Sequence, residues 1–285
     1  MSHHLNNRLL ALYGLKWNPF APGVPSEALH VSPRLDNFCR RVGQLTAEGG
    51  FALLTGAPGS GKSSALRILV AHLEQQRDVS IGMIIRPQAS IGDFYREIGE
   101  LFGAEMHPHN RWAGVKILRQ RWQAHIDGTL TRPVLIIDEA QEVKPAVLAE
   151  LRLLTSARLD SHTLLTVVLA GDGRLVDRLK SDEFLPLDSR MRVRLAIERA
   201  TPDALQACLC HAMTQAGAPT LMSEQLIATL VDHANGNPRA LMIMADELLG
   251  LAAERNARQI DEALFFDLYT PQAEAKGRAD ARRRR

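Results

Sequence analysis

The sequence predicts an α/β protein in which a five-stranded parallel sheet lies between layers of helices and is followed by a small all-helical subdomain. Apolar strand-like runs alternate with amphipathic helical stretches up to about residue 200, as repeated strand–helix units require. Beyond that point helical patterns continue without strands. The candidate strands are Phe51–Thr55, Val79–Ile85, Val134–Asp138, Leu164–Ala170 and Val193–Glu198.

These patterns divide the 285-residue chain into consecutive segments. Residues 1–48 are predicted to form an N-terminal extension that packs on the main domain, since Trp17–Pro25 is too rich in proline for regular structure. Residues 49–199 form the αβα domain, and residues 200–270 form the helical subdomain. Thr201-Pro202, Ser223 and Asn237-Pro238 are typical helix starts there. Residues 271–285 form a basic disordered tail.

The composition is that of a soluble globular protein, with 46% hydrophobic and 23% charged residues. No apolar run approaches the roughly 18 residues that a membrane span needs, and the start lacks a basic region followed by an apolar stretch. We therefore expect a cytoplasmic location and no membrane partner. The three cysteines are too few for a disulfide framework and favour small core hydrophobes or unreactive thiols.

The net charge of +2 is unevenly distributed. Residues 272–285 carry six basic and two acidic side chains, or +4, which leaves −2 for the rest of the chain. The tail could contact nucleic acid or could be a solvated terminus, and the sequence leaves both open.

A phosphate-binding loop is predicted directly after the first strand. Gly56–Ser63 fits the pattern G-x-x-x-x-G-K-[ST] between a strand and a helix. The glycines let the backbone amides face phosphate groups, Lys62 would reach the β- and γ-phosphates and take part in catalysis, and Ser63 would hold Mg²⁺. The residues assigned to nucleotide binding here are Gly56, Ala57, Pro58, Gly59, Ser60, Gly61, Lys62, Ser63 and Ser64.

An acidic pair follows the most apolar strand. Asp138 and Glu139 come after Val134–Ile137, which delivers them to the carboxyl edge of the sheet, where the phosphate loop also opens. Asp138 suits nucleotide-bound Mg²⁺, and Glu139 suits activation of the attacking water. An acidic helix cap is the simpler alternative.

Arginines near the last strand have two interpretations. Arg190, Arg192 and Arg194 alternate with apolar residues and therefore share one face of the strand and its lead-in. They could form a solvated face of an edge strand. Alternatively, Arg190 could reach the γ-phosphate of a neighbouring subunit and act in catalysis, which would make hydrolysis depend on assembly.

Two further polar positions bear on the nucleotide. Arg239 lies in the first helical turn after Asn237-Pro238 and could contact bound nucleotide, or it could be a surface arginine in a capped helix. Asp172 follows the fourth strand, where a sensor of the γ-phosphate is expected. Its negative charge would repel phosphate, so we expect it to have a structural role.

A further group of basic residues could contact nucleic acid. Basic side chains beside an aromatic ring could bind a phosphate backbone, although a solvated helix face accounts for the same pattern. The candidates are Arg86, Arg111 beside Trp112, Lys116 and Arg119.

Together these motifs resemble those of AAA+ ATPases, and more narrowly the branch that contains the ExeA-type secretion ATPases and the transposition regulators TnsC, TniB and MuB. The similar segments cover roughly residues 10–260 and are Tyr13–Phe20, Gly56–Ser63, Val134–Gln141, Val168–Gly171, Asp188–Arg190 and Gly236–Arg239. The resemblance implies a P-loop NTPase core with a helical lid, ATP and Mg²⁺ as cofactors, ATP hydrolysis, and assembly into a ring or helical filament. It also matches Arg190 to an arginine finger and Arg239 to a second sensor, while Asp172 departs from the uncharged first sensor.

Within that branch the sequence favours the transposition regulators, because secretion members carry a membrane span and a cell-wall-binding domain that this sequence does not show. The expected partners are then further copies of the chain, duplex DNA, and a transposase or related transposition protein. The alternative is an ExeA-like secretion or signalling ATPase that acts on a protein partner without DNA.

Overall fold

The structure, a computed structural model, describes residues 3–85, 87–104, 111–157 and 162–269. Its strands are β1 (Gly50–Gly56), β2 (Val79–Ile84), β3 (Arg132–Ile137), β4 (Ser156–Ala157), β5 (His162–Thr163), β6 (Thr166–Gly171) and β7 (Met191–Ile197). Its α-helices are α1 (His3–Tyr13), α2 (Pro33–Glu48), α3 (Lys62–Glu74), α4 (Ile91–Leu101), α5 (Arg111–Thr129), α6 (Pro145–Thr155), α7 (Gly173–Leu179), α8 (Leu185–Asp188), α9 (Pro202–Ala216), α10 (Glu224–Ala234), α11 (Pro238–Glu254) and α12 (Glu262–Tyr269). Short 3₁₀ helices lie at Ser26–Ala28 and Ala140–Glu142.

The main sheet has five parallel strands in the order β2-β3-β6-β1-β7. This confirms the predicted fold class, and each predicted strand overlaps an observed one. The antiparallel pair of β4 and β5 was not predicted, because strands of two residues each are too short to show a period.

Both faces of the sheet are buried along the three central strands, β1, β3 and β6, which accounts for the continuous apolar sequence of β3. Alternate residues of β1, β3 and β6 belong to a core that also contains residues of α4, α5, α6 and α7. Helices α2 and α3 contact the sheet as well. In α5 the core positions are Leu118, Trp122 and Ile126, four residues apart, and the Trp122 ring meets Phe102 edge to face.

The chain forms two compact units. One contains Val31–Arg199 and therefore the whole sheet, including α2 on its surface. The other contains the described residues up to His30 and those from Ala200 onward. Residues 271–285, predicted to be a basic tail, lie outside the described residues. Among the described helices, none is both long enough and apolar enough to cross a membrane.

The N-terminal segment packs with the helical unit. This differs from the expectation that residues 1–48 form one extension packed on the αβα domain. Leu9, Leu15 and Phe20 are buried in the same core as the leucines of α9, α10 and α11. Burial of these apolar side chains is the main physical reason for the arrangement.

Polar contacts hold the same segment in place. The Lys16 amide donates to the carbonyl oxygen of Ala216 at 2.9 Å, and the Tyr13 hydroxyl donates to the carbonyl oxygen of Ala257 at 2.9 Å. The Asn18 carboxamide donates to Asp246 Oδ1 at 2.6 Å. These links between distant parts of the sequence satisfy polar groups that packing would otherwise leave unpaired.

This arrangement predicts that Phe20→Ala destabilises the helical unit selectively. Phe20 is 4% exposed, and truncation of a buried phenylalanine costs about 3–5 kcal/mol. Hydrogen exchange measured by mass spectrometry should show faster exchange in α9, α10 and α11 and unchanged exchange in β1, β3 and β6.

The matched control is Leu12→Ala, since Leu12 of α1 is 40% exposed and its truncation should change exchange little. Faster exchange confined to the strands of the sheet after Phe20→Ala would contradict the assignment of this segment to the helical unit.

Candidate nucleotide site

The predicted site residues of the αβα unit meet at the carboxyl edge of the sheet. Strand β6 lies between β1 and β3, and all three are parallel. Their carboxyl ends therefore deliver the loop after Gly56, the Gly171-Asp172 pair and the Asp138-Glu139 pair side by side. Ligands of open parallel sheets bind at this edge.

The phosphate loop needs glycine at specific positions. Gly59 and Gly61 have φ angles of +81° and +100°, which side chains disfavour. A Cβ on Gly56 would lie 2.5 Å from Ser60 Oγ and 3.0 Å from the carbonyl oxygen of Ile197. Ser60 Oγ is buried and has no hydrogen-bond partner within the described chain. The loop thus has the tight backbone path that phosphate binding requires.

Lys62 is a buried cation at the start of α3. It is 7% exposed, and its Nζ donates to the carbonyl oxygens of Gly56 at 2.9 Å and Ala57 at 3.3 Å. Because both acceptors are neutral, the positive charge remains available to an anion. Isolated buried charges are unfavourable, so the arrangement fits a phosphate group.

The first turn of α3 also fits phosphate. Its N-cap is Gly61 and has no side-chain cap, whereas α2, α9 and α10 are capped by the hydroxyl groups of Ser32, Thr201 and Ser223. Uncapped amides at a helix start carry a partial positive charge and can bind an anion. Ser63 is exposed and Ser64 half-buried in this turn.

Asp138 follows β3 and is half-buried. Burial raises its pKa, and the nearby charge of Glu139 raises it further. The hydrogen bond from the Glu139 amide, 2.9 Å from Asp138 Oδ1, and the charge of Lys62 both lower the pKa. With Ser63, Asp138 supplies oxygen ligands of the kind that Mg²⁺ uses together with phosphate groups and water.

Glu139 has an exposed side chain and a left-handed backbone, with φ of 49° and ψ of 41°. Residues other than glycine seldom adopt this conformation, which costs about 1–3 kcal/mol and is often found at functional sites. Its carboxylate accepts a hydrogen bond from the Gln141 carboxamide. A carboxylate held at this edge can accept a proton from a water molecule.

Gln141 and Arg178 belong to this site but were not singled out from the sequence. Gln141 connects Glu139 to the end of β6, because its Oε1 accepts from the Asp172 amide at 3.2 Å. Arg178 Nη1 donates to the carbonyl oxygens of Gln141 at 3.2 Å and Val143 at 2.5 Å. The position of Gln141 two residues after Glu139 was an available signal, whereas nothing in the sequence pairs it with Arg178.

Asp172 is the N-cap of α7. Its Oδ1 accepts from the Arg174 amide at 2.9 Å, and its Oδ2 pairs with Arg174 Nε at 2.9 Å. Arg174 also pairs with Glu142 at 2.9 Å. These contacts are those of a structural residue, as expected from its charge.

Arg190 lies at the amino edge of the sheet, opposite the carboxyl edge at which the phosphate loop opens. It precedes β7 and lines a cavity of about 280 Å³ at the amino end of β1, together with Gly50 and Phe51. The phosphate loop follows the carboxyl end of the same strand, seven residues further on. At about 3.3 Å per residue, β1 separates the two by roughly 20 Å, which exceeds the reach of an arginine side chain.

The neighbouring arginines of β7 form ion pairs. Arg192 pairs with Glu48 at 2.6 Å, and Arg194 pairs with Asp188 at 3.0 Å. Both side chains are exposed, and β7 is an edge strand. Their arrangement agrees with the interpretation of a solvated edge-strand face.

Arg239 is exposed in the first turn of α11. The Asn237 carboxamide oxygen caps this helix by accepting from the amides of Arg239 at 3.0 Å and Ala240 at 3.3 Å. Arg239 belongs to the helical unit, so its role at the nucleotide stays a prediction.

The described side chains do not test whether the candidate DNA contacts lie together, so this grouping stays a prediction. Arg86 and the side chains of Arg111 and Trp112 lie outside what is described. On α5, Lys116 is exposed and Arg119 is half-buried.

Comparison with known proteins identifies residues 45–179 as an AAA domain. The chain is also 28% identical over 253 residues to General secretion pathway protein A of Aeromonas hydrophila. That similarity covers 87% of this chain, which spans 45% of the relative's length.

Solved structures with the same fold include Cdc6p from Pyrobaculum aerophilum, with a TM-score of 0.69 at 17% identity, covering 85% of this chain and 67% of that one. The Aeropyrum pernix ORC1 protein in complex with DNA gives 0.65 at 16% identity, covering 90% and 68%. The Thermotoga maritima RuvB Holliday junction branch migration motor gives 0.57 at 16% identity, covering 87% and 72%. At these identities the similarity concerns the fold.

The buried cation predicts that Lys62→Ala sharply weakens ATP binding. Loss of one partner from a buried charged hydrogen bond costs about 2–5 kcal/mol, which corresponds to a dissociation constant raised roughly 30-fold or more. Calorimetric titration with ATP and Mg²⁺ measures this change. The control is Lys180→Ala, an exposed lysine after α7, which should bind ATP normally. Wild-type affinity after Lys62→Ala would contradict the assignment.

The match to an AAA domain, the order of strands in the main sheet and the geometry of the loop after β1 all indicate the same fold. The AAA domain covers β1, β3, β6 and the loops that follow them, and the relative from Aeromonas is a homologue over most of the chain. The chain therefore carries an AAA+ ATPase domain with the P-loop NTPase fold, which uses ATP with Mg²⁺.

Proposed function

We propose that this ATPase is a nucleotide-driven switch that acts on a protein partner in secretion or signalling. The observation that carries the proposal is the similarity to General secretion pathway protein A, which extends over 87% of the chain and thus beyond the AAA domain. This relative supports the alternative weighed in the sequence analysis better than the transposition hypothesis favoured there. The membrane span and extra domain on which that preference rested do not separate the two, because the chain spans 45% of the relative.

The site geometry indicates how such a switch would operate. Lys62 and the first turn of α3 would bind the phosphates, and Ser63 and Asp138 would hold Mg²⁺. Glu139 would orient water and accept its proton during hydrolysis. Loss of the γ-phosphate would then change the charge balance beside the end of β6, where Asp172 begins α7.

The position of Arg190 supports function as an assembly. Since β1 separates Arg190 from the phosphate loop of its own chain, an arginine finger at this position would serve the site of a neighbouring copy. Positive charge supplied in this way stabilises the transferring phosphoryl group. We propose a ring or helical filament in which each subunit completes the site of the next.

A DNA-bound assembly is the second candidate. Structures with the same fold include one in complex with DNA, and Lys116 lies exposed on α5. In this case ATP would promote assembly on duplex DNA, and binding would weaken steeply with added salt because basic side chains displace counterions. A transposase partner belongs to this candidate.

We expect Glu139→Gln to retain ATP while hydrolysis falls by about 10²- to 10⁴-fold, because the neutral amide cannot accept a proton. With ATP and Mg²⁺ the immobilised variant should retain a protein partner that it releases with ADP. Affinity capture followed by mass spectrometry identifies the partner, and Lys62→Ala with ATP is the control without bound nucleotide.

Adding duplex DNA to the Glu139→Gln variant with ATP and Mg²⁺ distinguishes the secretion or signalling role from the DNA-bound assembly. Assemblies seen by electron microscopy only with DNA, together with capture of a transposase alone, would contradict the proposed secretion or signalling role. Wild-type hydrolysis by Glu139→Gln would contradict the assignment of the water-activating residue.

Mixing two inactive variants tests the role of Arg190. Arg190→Ala retains its own nucleotide site but cannot complete a neighbour's, whereas Glu139→Gln retains Arg190. Arg190→Ala alone should hydrolyse ATP at least about 10³-fold more slowly than the wild type, and Glu139→Gln alone at least about 10²-fold more slowly. An equimolar mixture of the two variants should recover part of the wild-type rate. Steady-state phosphate release measures the recovery.

The control mixture combines Glu139→Gln with the double variant Arg190→Ala/Glu139→Gln, which contains no complete site and should stay inactive. Failure of the first mixture to recover, when both variants assemble, would contradict a finger supplied by the neighbouring subunit.

A further inference from the structure

Gln141 lies between the Glu139 carboxylate and the end of β6. Its Nε2 donates to Glu139 Oε2, and its Oε1 accepts from the Asp172 amide at 3.2 Å. The orientation of the carboxamide follows from these partners, since the carboxylate can only accept and the amide can only donate. Glutamine has a length that reaches both partners and provides both a donor and an acceptor without a change of protonation.

The backbone of Gln141 is held from a third direction. Its carbonyl oxygen accepts from Arg178 Nη1 at 3.2 Å, and the same nitrogen donates to Val143 at 2.5 Å. The Arg178 guanidinium lies 5.4 Å from the centre of the Phe184 ring, a cation–π contact that fixes its position. Gln141 is therefore anchored at both its backbone and its side chain.

Gly171 makes room for this side chain. A Cβ at this position would lie 2.6 Å from Gln141 Oε1 and 2.8 Å from Leu175 Cδ2. Gly171 does not adopt the left-handed backbone that favours glycine elsewhere, so space is the physical reason for a glycine here. The end of β6 and Gln141 thus fit each other closely.

Glu139 needs such a partner. Its side chain is exposed, and an exposed glutamate samples several rotamers, so holding it in one of them costs side-chain entropy. The left-handed backbone of Glu139 sets the direction of its Cα–Cβ bond, but it does not set the position of the carboxylate at the end of the side chain. The Gln141 carboxamide supplies that second constraint.

We propose that Gln141 is a positioning residue for ATP hydrolysis, holding the Glu139 carboxylate against the end of β6 at the phosphate site. The inference rests on the proposed role of Glu139 in activating water. Gln141 contacts neither phosphate nor water in this role and acts through Glu139. A misplaced carboxylate lowers the rate of the chemical step without changing how ATP binds.

Gln141→Glu is the decisive variant. Glutamate preserves the length and the acceptor for the Asp172 amide, but it removes the donor to Glu139 and adds a like charge. We expect kcat to fall about 10- to 100-fold while the dissociation constant for ATP changes less than about threefold. Gln141→Met, which has similar length and no added charge, should lose turnover to a comparable degree.

The matched control is Gln123→Glu. The Gln123 carboxamide also donates to a carboxylate, Asp127 Oδ1 at 2.8 Å, on α5, the helix that leads into the amino end of β3. This substitution makes the same chemical change and should leave kcat unaltered.

A double-variant cycle separates positioning from simple structural support. If Gln141 acts through Glu139, then Gln141→Met should cause no further loss of single-turnover rate in the Glu139→Gln background. A structural brace would give a further loss there, and it would also leave Gln141→Glu close to wild type, because the link to Asp172 is kept.

The outcomes distinguish this inference from the proposal on which it rests. Wild-type turnover by Glu139→Gln overturns the role of Glu139 itself. Inactive Glu139→Gln with fully active Gln141→Glu and Gln141→Met overturns the role of Gln141 alone. Additive losses in the cycle likewise overturn it.

Discussion

The structure depends on the placement of β6 between β1 and β3. Because the strands are parallel, their carboxyl ends lie at one edge of the sheet, and three loops from distant parts of the sequence meet there. The segment after β1 brings a cation, the loop after β3 brings carboxylates, and the end of β6 brings the backbone amide of Asp172. Each of these groups would be ordinary alone, and their proximity makes this edge the candidate nucleotide site.

At the carboxyl edge of the sheet Lys62 is buried and Asp138 is half-buried, and burial determines how their charged groups interact. The ammonium group of Lys62 has neutral carbonyl partners, and the first turn of α3 is left without a side-chain cap, whereas α2, α9 and α10 are capped by hydroxyl groups. Burial raises the pKa of Asp138, and the Glu139 amide and the charge of Lys62 oppose that rise. A site with a buried ammonium group and an uncapped helix start beside restrained carboxylates is suited to phosphate together with a divalent cation.

The division into two units assigns the candidate functional residues to separate units. The phosphate loop, the acidic pair and Arg190 belong to the unit of the sheet, and Arg239 belongs to the helical unit. The N-terminal segment joins the helical unit because Leu9, Leu15 and Phe20 complete its core. Within the sheet unit, Arg190 and the phosphate loop lie at opposite edges, which is the geometric basis for proposing that neighbouring copies complete each other's sites.

The sequence by itself determined the fold class, the five strands of the main sheet and the place of the candidate phosphate loop after the first of them, because these depend on local patterns: continuous apolar runs, glycines at fixed spacing, and a lysine at a helix start. It also placed Asp138 and Glu139 at the correct edge, since a buried strand precedes them. The tertiary structure alone decided where the N-terminal segment packs and that Gln141 joins Glu139 to the end of β6. The packing of the N-terminal segment and the link from Gln141 to Asp172 join residues far apart in the chain with no periodic spacing, so they arise only when distant segments bury apolar surface and pair their polar groups.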